Sequence, residues 1–584
     1  MSEPTSTSVD PTTLANFNQV EQSFKAALAP FNGGMAQAPY WEAFTQWTKA
    51  MADNPEAQMN LWQEGLKHST ELLSFIQAAA ANPQSTPPAS DATSDARFAH
   101  AGWNQFPFNV MAKQYQLAST WLKQASHSVE LPPAQDKQLQ FMLTQWLEAI
   151  SPTNYLATNP ELLELTQAQG GENLMRGARH LIEDTARLLK NEGVVGSEQF
   201  VVGENVAATA GEVIYQNALI ELIQYSPTTA DVYAEPVLIV PAWIMKYYIL
   251  DLSAKNSLVK YLVDEGHTVF MISWKNPTAD DRDLGMDDYL EMGIQAAVDV
   301  ISQIVPQRGI HAVGYCIGGT LLSIAVAHLA SKQDARFSSM TLFAAQTDFS
   351  EPGELALFIS ESQLAMLSEK MRQAGVLDSK QMGAAFQLLR PRDLIWSPLI
   401  KTYLKGERDS MIDLMAWNAD GTRMPYRMHT EYLYRLYLHN ELAQGTFPVQ
   451  GHAVSLQDIK IPMFVVGTET DHVAPWRSVV KVSQLVSSED FTFLLTSGGH
   501  NAGIISGRSH PKRTHRVIHQ PAGTDFPEAN AWFETSAAQA GSWWPIWQQW
   551  LVAHSGDKVP PPSLGDTTGY PALRPAPGEY VKQR

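Results

Sequence analysis

Cysteine is nearly absent from this sequence, because Cys316 is the single thiol among 584 residues. One thiol forms neither a disulfide within the chain nor a metal site built from cysteines. Basic residues are also few, since 41 Lys and Arg stand against 60 Asp and Glu for a formal net charge of −19. Neutralising nucleic-acid phosphates needs clustered Lys and Arg, so the composition argues against a nucleic-acid binder.

Long apolar runs are missing as well. The most continuous run, PVLIVPAWIM at 236–245, is ten residues long and ends at Lys246, far short of a membrane span. The opening MSEPTSTSVDPTTL has neither the basic nor the apolar segment of a secretory signal. These features predict a cytoplasmic protein that meets membranes or other hydrophobic material only at its surface.

The chain is too long for a single core, and its composition changes along its length. Helical spacing of apolar residues marks 1–78 and 97–195, and a linker rich in Pro, Ser and Ala separates them at 79–96. Four aromatics in the first block, which are Trp41, Phe44, Trp47 and Trp62, are candidates for a docking face. The alternative is that these aromatics pack onto the rest of the chain, as amphipathic helices usually do.

From about residue 196 onwards, short apolar runs alternate with helix-length stretches. The runs are PVLIVPAW, TVFMISW, GIHAVGYC, MTLFAAQ, MFVVGTE and FTFLLTSGG. Such runs suit strands buried on both faces, so 196–584 is predicted to be an α/β domain with a mainly parallel sheet. A mostly helical insertion at about 350–445 is predicted to form a lid over the ends of the strands.

The thiol lies in the pattern G-x-C-x-G, with Gly314, Cys316 and Gly318 followed by Gly319. This spacing is typical of a nucleophile elbow, in which a reactive side chain stands on a sharp turn from strand to helix. The N-terminus of the following helix favours a thiolate, and the Ile317 N–H is placed to stabilise an oxyanion. The alternative is a buried, inert cysteine.

A thiol nucleophile needs a base and an acid that orients the base. Asp471 and His500 each follow a predicted strand, and the order Cys316, Asp471, His500 is that of the α/β-hydrolases. Glu469 competes with Asp471 for the acid, and His472 competes with His500 for the base. The gap between Asp471 and His500 leaves room for the last strand, which favours this pair.

A second oxyanion donor should come from the loop after an early strand, here VPAWIMKYY at 240–248. The backbone N–H of Trp243 or of Ile244 is the candidate. An equally simple interpretation is that this hydrophobic loop only lines the substrate pocket.

Several motifs together resemble the polyhydroxyalkanoate synthases, in particular their class I members. They include GYCIGGT, DHVAPW and SGGHNAGII around the three candidate residues, and ISPTNYLATNPELL, FMISWKNP, LMAWNAD and PAPGEYVK elsewhere. The resemblance extends from about residue 100 to the end. The sequence PAWIM departs from the Pro-Pro-Phe-Ile-Asn-like stretch of typical members, which affects the oxyanion loop and the pocket.

The resemblance implies an α/β-hydrolase fold and polymerisation of (R)-3-hydroxyacyl-CoA into polyester, with release of coenzyme A and without a metal or cofactor. Cys316 would carry the acyl group and His500 would deprotonate it, whereas Asp471 would orient His500 or act directly on the substrate hydroxyl. Pocket walls would include Trp417, Trp243 and His472. The implied partners are the polyester granule, phasin-type granule proteins and a second copy of the chain. A cysteine-dependent thioesterase or hydrolase and an inactive granule scaffold are the alternatives.

Overall fold

The computed structural model describes residues 38–81, 95–508, 510, 512–521, 523–524 and 526–584. Residues 82–94 of the linker predicted at 79–96, and the first 37 residues, therefore lie outside the described residues, whereas 79–81 belong to the helix Pro55–Ala81. Contacts divide the chain into two compact units. The first contains the described residues up to Glu192 together with Lys380–Asp409, and the second contains Gly193–Ser379 and Ser410–Arg584.

The first unit is built from helices that pack through aromatic and small side chains. They are α1 (Ala38–Ala52), α2 (Pro55–Ala81), α3 (Phe108–Ser126), α4 (Pro133–Ala149), α5 (Pro160–Ala168) and α6 (Glu172–Leu189). Asn159 caps α5, because its side chain accepts hydrogen bonds from the N–H groups of Glu161 and Leu162. The indole N–H of Trp47 donates to the Ala125 carbonyl at 2.9 Å. Trp41, Phe44 and Trp47 are thus partly buried, whereas Trp62 is 61% exposed.

The middle of the proposed lid insertion belongs to this helical unit. A Cβ on Gly177 of α6 would lie 1.9 Å from the Tyr403 carbonyl oxygen, so only glycine permits this approach of the two backbones. Asn173 donates to the Leu404 carbonyl at 2.8 Å, and Arg408 pairs with Asp184 at 3.0 Å. The N-terminal helices therefore hold a segment that is more than 180 residues away in sequence.

Among the described residues, the second unit is organised around a sheet of eleven strands. Their order is β15-β14-β13-β12-β7-β6-β4-β5-β2-β1-β19. The strands are β1 (Gly211–Gln216), β2 (Ile220–Tyr225), β4 (Val237–Val240), β5 (Val269–Trp274), β6 (Ile310–Tyr315), β7 (Phe337–Phe343), β12 (Met463–Thr468), β13 (Phe491–Thr496), β14 (Thr514–Gln520), β15 (Gln539–Ala540) and β19 (Arg574–Pro575). Strands β5, β4, β6, β7, β12 and β13 pair in parallel, so their carboxyl ends meet at one edge.

These six parallel strands correspond to the six apolar runs read from the sequence. Five of them, β4, β5, β6, β12 and β13, consist wholly of buried residues, which agrees with strands covered on both faces. The antiparallel strands β1, β2 and β14 extend the sheet at its two edges. The predicted α/β domain with a mainly parallel sheet is confirmed.

Helices connect the strands and form the insertion, and the remaining strands form short two-stranded ladders. The helices are α7 (Leu258–Asp264), α8 (Met286–Asp288), α9 (Ala296–Ile304), α10 (Ile317–Ser331), α11 (Glu361–Ala374), α12 (Ser379–Leu389), α13 (Ser397–Leu399), α14 (Asp413–Asn418), α15 (Tyr426–Tyr432), α16 (Trp476–Val479), α17 (Val482–Leu485), α18 (His500–Ile504), α19 (Ala529–Thr535) and α20 (Trp544–Ala553). The short strands are β3 (Val232–Tyr233), β8 (Val376–Leu377), β9 (Met424–Pro425), β10 (Pro448–Val449), β11 (His452–Ala453), β16 (Lys558–Val559), β17 (Gly565–Asp566) and β18 (Tyr570–Pro571).

The insertion occupies the connection from β7 to β12. It contains α11 to α15 and continues from α15 into a π-helical turn at Leu433–Leu438. Within the described part of the chain, no helix combines the length and apolar character that crossing a bilayer requires.

Candidate active site

Cys316 lies at a strained turn between β6 and α10. Its φ is 54° and its ψ is −132°, a backbone conformation that non-glycine residues rarely adopt. A Cβ on Gly314 would lie 2.3 Å from the Gly319 Cα, and one on Gly318 would lie 2.4 Å from the Pro241 carbonyl oxygen. The glycines are therefore required by close backbone packing around the cysteine, as expected of a nucleophile elbow.

The cysteine stands at the N-terminal end of a fifteen-residue helix. The N–H groups of Gly319 and Thr320 donate to the Cys316 carbonyl, which leaves the Ile317 N–H in the open first turn of α10. Cys316 itself is 9% exposed. A negative charge at this position meets the positive end of the helix dipole, which favours both a thiolate and an oxyanion beside it.

Asp471 lies in a turn just after β12, and its side chain is fully buried. Its Oδ1 accepts from the N–H groups of Val473 and Ala474 at 2.9 and 2.8 Å, and its Oδ2 accepts from the Thr468 hydroxyl at 2.8 Å. Burial alone raises the pKa of Asp471, but the charge and hydrogen bond of His500 outweigh it, so that the pKa lies below its ordinary value. The carboxylate is therefore ionised and fixed in one orientation.

His500 begins the short helix α18 after β13, and its Nδ1 donates to Asp471 Oδ2 at 2.8 Å. Nε2 is buried and has no partner at ordinary hydrogen-bond geometry among the described residues. Burial lowers the pKa of His500, but the charges of Asp471 and then of Cys316 hold this pKa well above its usual range. Asp471 thus holds one nitrogen of the imidazole, and the charge of the nearby Cys316 acts on the same ring, as a thiolate–imidazolium pair requires.

The two competing residues have other contacts. Glu469 forms an ion pair with Arg516, whose guanidinium also lies over the Phe533 ring. The backbone carbonyl of His472 accepts from the Glu354 N–H at 3.1 Å, within the turn that carries Asp471. Of the two candidate histidines, His500 makes the hydrogen bond to Asp471.

The loop after β4 packs directly on the elbow through the contact between Pro241 and Gly318 described above. Trp243 is 2% exposed, and its ring lies 5.5 Å from Tyr289 and 6.0 Å from Tyr432 between centroids. The Thr422 hydroxyl donates to the Trp243 carbonyl at 2.8 Å, and the Trp417 indole donates to the Lys246 carbonyl at 2.7 Å. Trp417 therefore supports the loop that contains Trp243 and Ile244.

Two tyrosines of the insertion, which no sequence motif marked as candidates, lie close enough to Cys316 for its charge to act on them. Burial raises the pKa of both Tyr432 and Tyr437, and the charge of Cys316 contributes to this rise. Tyr437 also contacts Phe349 with centroids 4.8 Å apart, and the rings of Tyr432 and Tyr437 lie 5.3 Å apart. The tyrosine-rich segment EYLYRLYLHN at 431–440 is the sequence feature that could have indicated these two residues.

The sheet order and the strand-end position of these residues define a protein of the α/β-hydrolase fold, and a family profile described as the alpha/beta hydrolase fold matches residues 235–505. A second profile, described as the N-terminus of poly-beta-hydroxybutyrate polymerase (PhaC), matches residues 94–262. The two profiles overlap at 235–262, so that together they span 94–505.

Similarity to individual relatives identifies the family more specifically. The poly(3-hydroxyalkanoate) polymerase of Methylorubrum extorquens is 38% identical over 545 residues, covering 92% of this chain and 88% of that protein. The corresponding subunit PhaC of Rhizobium etli is 36% identical over 98% of this chain and 93% of its own length. That of Cupriavidus necator is 36% identical over 84% of this chain and 83% of its own. The chain belongs to the poly(3-hydroxyalkanoate) polymerase family, whose members are acyltransferases.

Solved structures show more distant similarity. A monoacylglycerol lipase from Paleococcus ferrophilus is 12% identical, covering 57% of this chain and 99% of its own, with a TM-score of 0.32. The thioesterase domain from the curacin biosynthetic pathway is 14% identical, covering 50% of this chain and 95% of its own, with a TM-score of 0.27.

Proposed function

We propose that this enzyme polymerises (R)-3-hydroxyacyl-CoA into polyester and releases coenzyme A, with Cys316 as the residue that carries the acyl group. The observation that best supports this proposal is the Asp471–His500 hydrogen bond beside a lone cysteine on a strained elbow. The similarity to poly(3-hydroxyalkanoate) polymerases over most of the chain supports the substrate class.

In the acylation step, His500 Nε2 takes the thiol proton to form the thiolate–imidazolium pair, and the Cys316 sulfur attacks the thioester carbonyl. The Ile317 N–H, with the Ile244 or Trp243 N–H as second donor, stabilises the oxyanion. The carbon–sulfur bond to coenzyme A then breaks, and His500 returns the proton to the departing thiolate. A thiolate exchanges readily with a thioester because the attacking and leaving sulfurs have similar basicity.

In the growth step, the 3-hydroxyl of an acyl unit attacks the Cys316 thioester of another. An ester bond forms, the thioester breaks, and the hydroxyl proton passes to a base while the thiolate of Cys316 is regenerated. We assign this proton to His500, with Asp471 holding the imidazole in orientation. Trp243, Trp417 and His472 are proposed to limit the pocket around the acyl group.

The purified enzyme should release coenzyme A from (R)-3-hydroxybutyryl-CoA and deposit an insoluble polyester that can be weighed. Butyryl-CoA is the matched control, because it can acylate Cys316 but has no 3-hydroxyl for growth. We expect it to release about one equivalent of coenzyme A per enzyme and no polymer. Sustained coenzyme A release without polymer from the hydroxylated substrate would instead identify a thioesterase.

We further propose that the N-terminal unit attaches the enzyme to the polyester granule. One face of α2 carries four exposed apolar side chains, Met59, Trp62, Leu66 and Leu73, with 54%, 61%, 47% and 61% of their surface exposed. Their spacing of three, four and seven residues places them on one side of the helix. Exposed aromatic and aliphatic groups on one face suit a hydrophobic solid such as the product.

The double variant Trp62→Glu, Leu66→Glu should sediment with polymer at most about one tenth as well as the wild type, because each change places a charge in the contact. Asn60→Glu, Ala78→Glu adds the same charge to exposed positions on another side of α2 and should leave sedimentation unchanged. Loss of a dimer in analytical ultracentrifugation would assign this face to a second copy. Loss of binding only to phasin-coated granules would assign it to a phasin-type protein.

A further inference from the structure

A hydrogen bond connects the residue before the candidate nucleophile with the residue after the candidate base. Tyr315 precedes Cys316 and is 2% exposed, and its hydroxyl donates to the Asn501 side-chain oxygen at 2.6 Å. The Tyr315 ring also lies against the imidazole of His500, with centroids 5.7 Å apart and planes tilted by 32°. One tyrosine therefore contacts both the histidine and its neighbour.

The sheet explains why such a connection is useful. Cys316 follows β6 and His500 follows β13, and β7 and β12 lie between these strands. At about 4.8 Å between neighbouring strands, the two strand ends are roughly 14 Å apart. The thiol and the imidazole must meet across this gap from separate loops, so their alignment depends on contacts between the loops.

The helix that begins with His500 is too short to hold the imidazole by itself. It spans five residues, and the Trp543 indole fixes its far end by donating to the Gly503 carbonyl at 3.0 Å. At its first turn the Tyr315–Asn501 hydrogen bond joins it to the elbow. Asp471 fixes Nδ1, while the Tyr315 ring covers one face of the imidazole.

We propose that Tyr315 and Asn501 are positioning residues that hold His500 Nε2 toward the Cys316 thiol. This inference rests on the proposed function, in which Nε2 exchanges a proton with that thiol. Burial raises the pKa of Tyr315 well above its ordinary value, and the charges of Cys316 and Asp471 raise it further. The phenol therefore stays protonated throughout the working range and remains a donor to Asn501.

Tyr315→Phe keeps the ring against His500 and removes the donor, and Asn501→Leu keeps most of the volume and removes the acceptor. For each variant we expect kcat for coenzyme A release to fall about tenfold, with KM within about twofold of the wild type. Iodoacetamide alkylation gives a second measurement that does not depend on substrate, since Cys316 is the single thiol. The pH at half-maximal alkylation rate should rise in both variants, because a displaced imidazole supports the thiolate less well.

Tyr580→Phe is the matched control, because it also removes a buried phenol hydrogen bond, here 2.6 Å to the Asn217 carbonyl. It should lower the melting temperature without moving the alkylation midpoint. The double variant of Tyr315 and Asn501 should be no slower than the worse single variant, since both remove one interaction.

The outcomes separate this inference from the proposed function. If Tyr315→Phe lowers only the melting temperature, as Tyr580→Phe does, the pair is structural and the inference is wrong. If the alkylation midpoint moves but the wild type releases no coenzyme A from hydroxyacyl-CoA, the positioning role stands and the proposed polymerisation is wrong.

Discussion

Cys316→Ser should reduce coenzyme A release from (R)-3-hydroxyacyl-CoA by at least about 10⁴-fold, the loss typical of removing an essential nucleophile. A serine hydroxyl ionises far less readily than a thiol and is a poor match for exchange with a thioester. The fold should remain intact, because the substitution changes one atom and the close glycine packing around the turn is untouched. The measurement is coenzyme A release together with the melting temperature of each protein.

Chemical modification tests the same assignment without a mutation. Because the chain contains a single cysteine, iodoacetamide should attach one label to the native enzyme and stop coenzyme A release in proportion. Ser323→Ala is the matched control, since Ser323 is a buried residue of α10 whose hydroxyl donates to the Gly319 carbonyl at 2.8 Å. It should keep activity and labelling. Undiminished polymer formation by Cys316→Ser would end the assignment of Cys316 as nucleophile.

The parallel core of the second unit was predictable from local sequence. Strands covered on both faces are apolar along their whole length, so β4 to β7, β12 and β13 were visible as runs. The positions of Cys316, Asp471 and His500 followed from the same pattern, because each lies at the carboxyl end of a parallel strand. The catalytic roles of these residues stay predictions, although Asp471 and His500 are hydrogen bonded in the structure.

Contacts between distant segments were not predictable, since they depend on shapes that no local pattern encodes. Tyr432 and Tyr437 come from an insertion more than a hundred residues after the elbow, and a tyrosine-rich helix gives no sign of which groups it will meet. From the sequence, Glu469 was a plausible alternative to Asp471 as the acid that orients the base. Its pairing with Arg516, 47 residues away, is visible only in the structure. The packing of Lys380–Asp409 with the N-terminal helices likewise depends on a backbone contact at Gly177.

His500→Gln should abolish both acylation and chain growth, whereas Asp471→Asn should retain part of the acylation. Glutamine cannot take the thiol proton, so single-turnover coenzyme A release should fall by at least about 10³-fold. Asparagine keeps an acceptor for the turn but removes the charge that holds the pKa of His500 high. In Asp471→Asn this pKa falls, so the imidazolium that pairs with the thiolate loses its proton at a lower pH. The alkaline limb of the acylation rate should therefore begin at lower pH than in the wild type.

His472→Gln makes the same change of residue type next to Asp471 and serves as the matched control. Because His500 rather than His472 makes the hydrogen bond to Asp471, we expect acylation by this variant to stay within about tenfold of the wild type. Single-turnover release of coenzyme A, measured from pH 5 to 10 with hydroxyacyl-CoA and with butyryl-CoA, separates acylation from growth. If His472→Gln proves as damaging to acylation as His500→Gln, then the base is His472, and the imidazole bound to Asp471 has only a structural role.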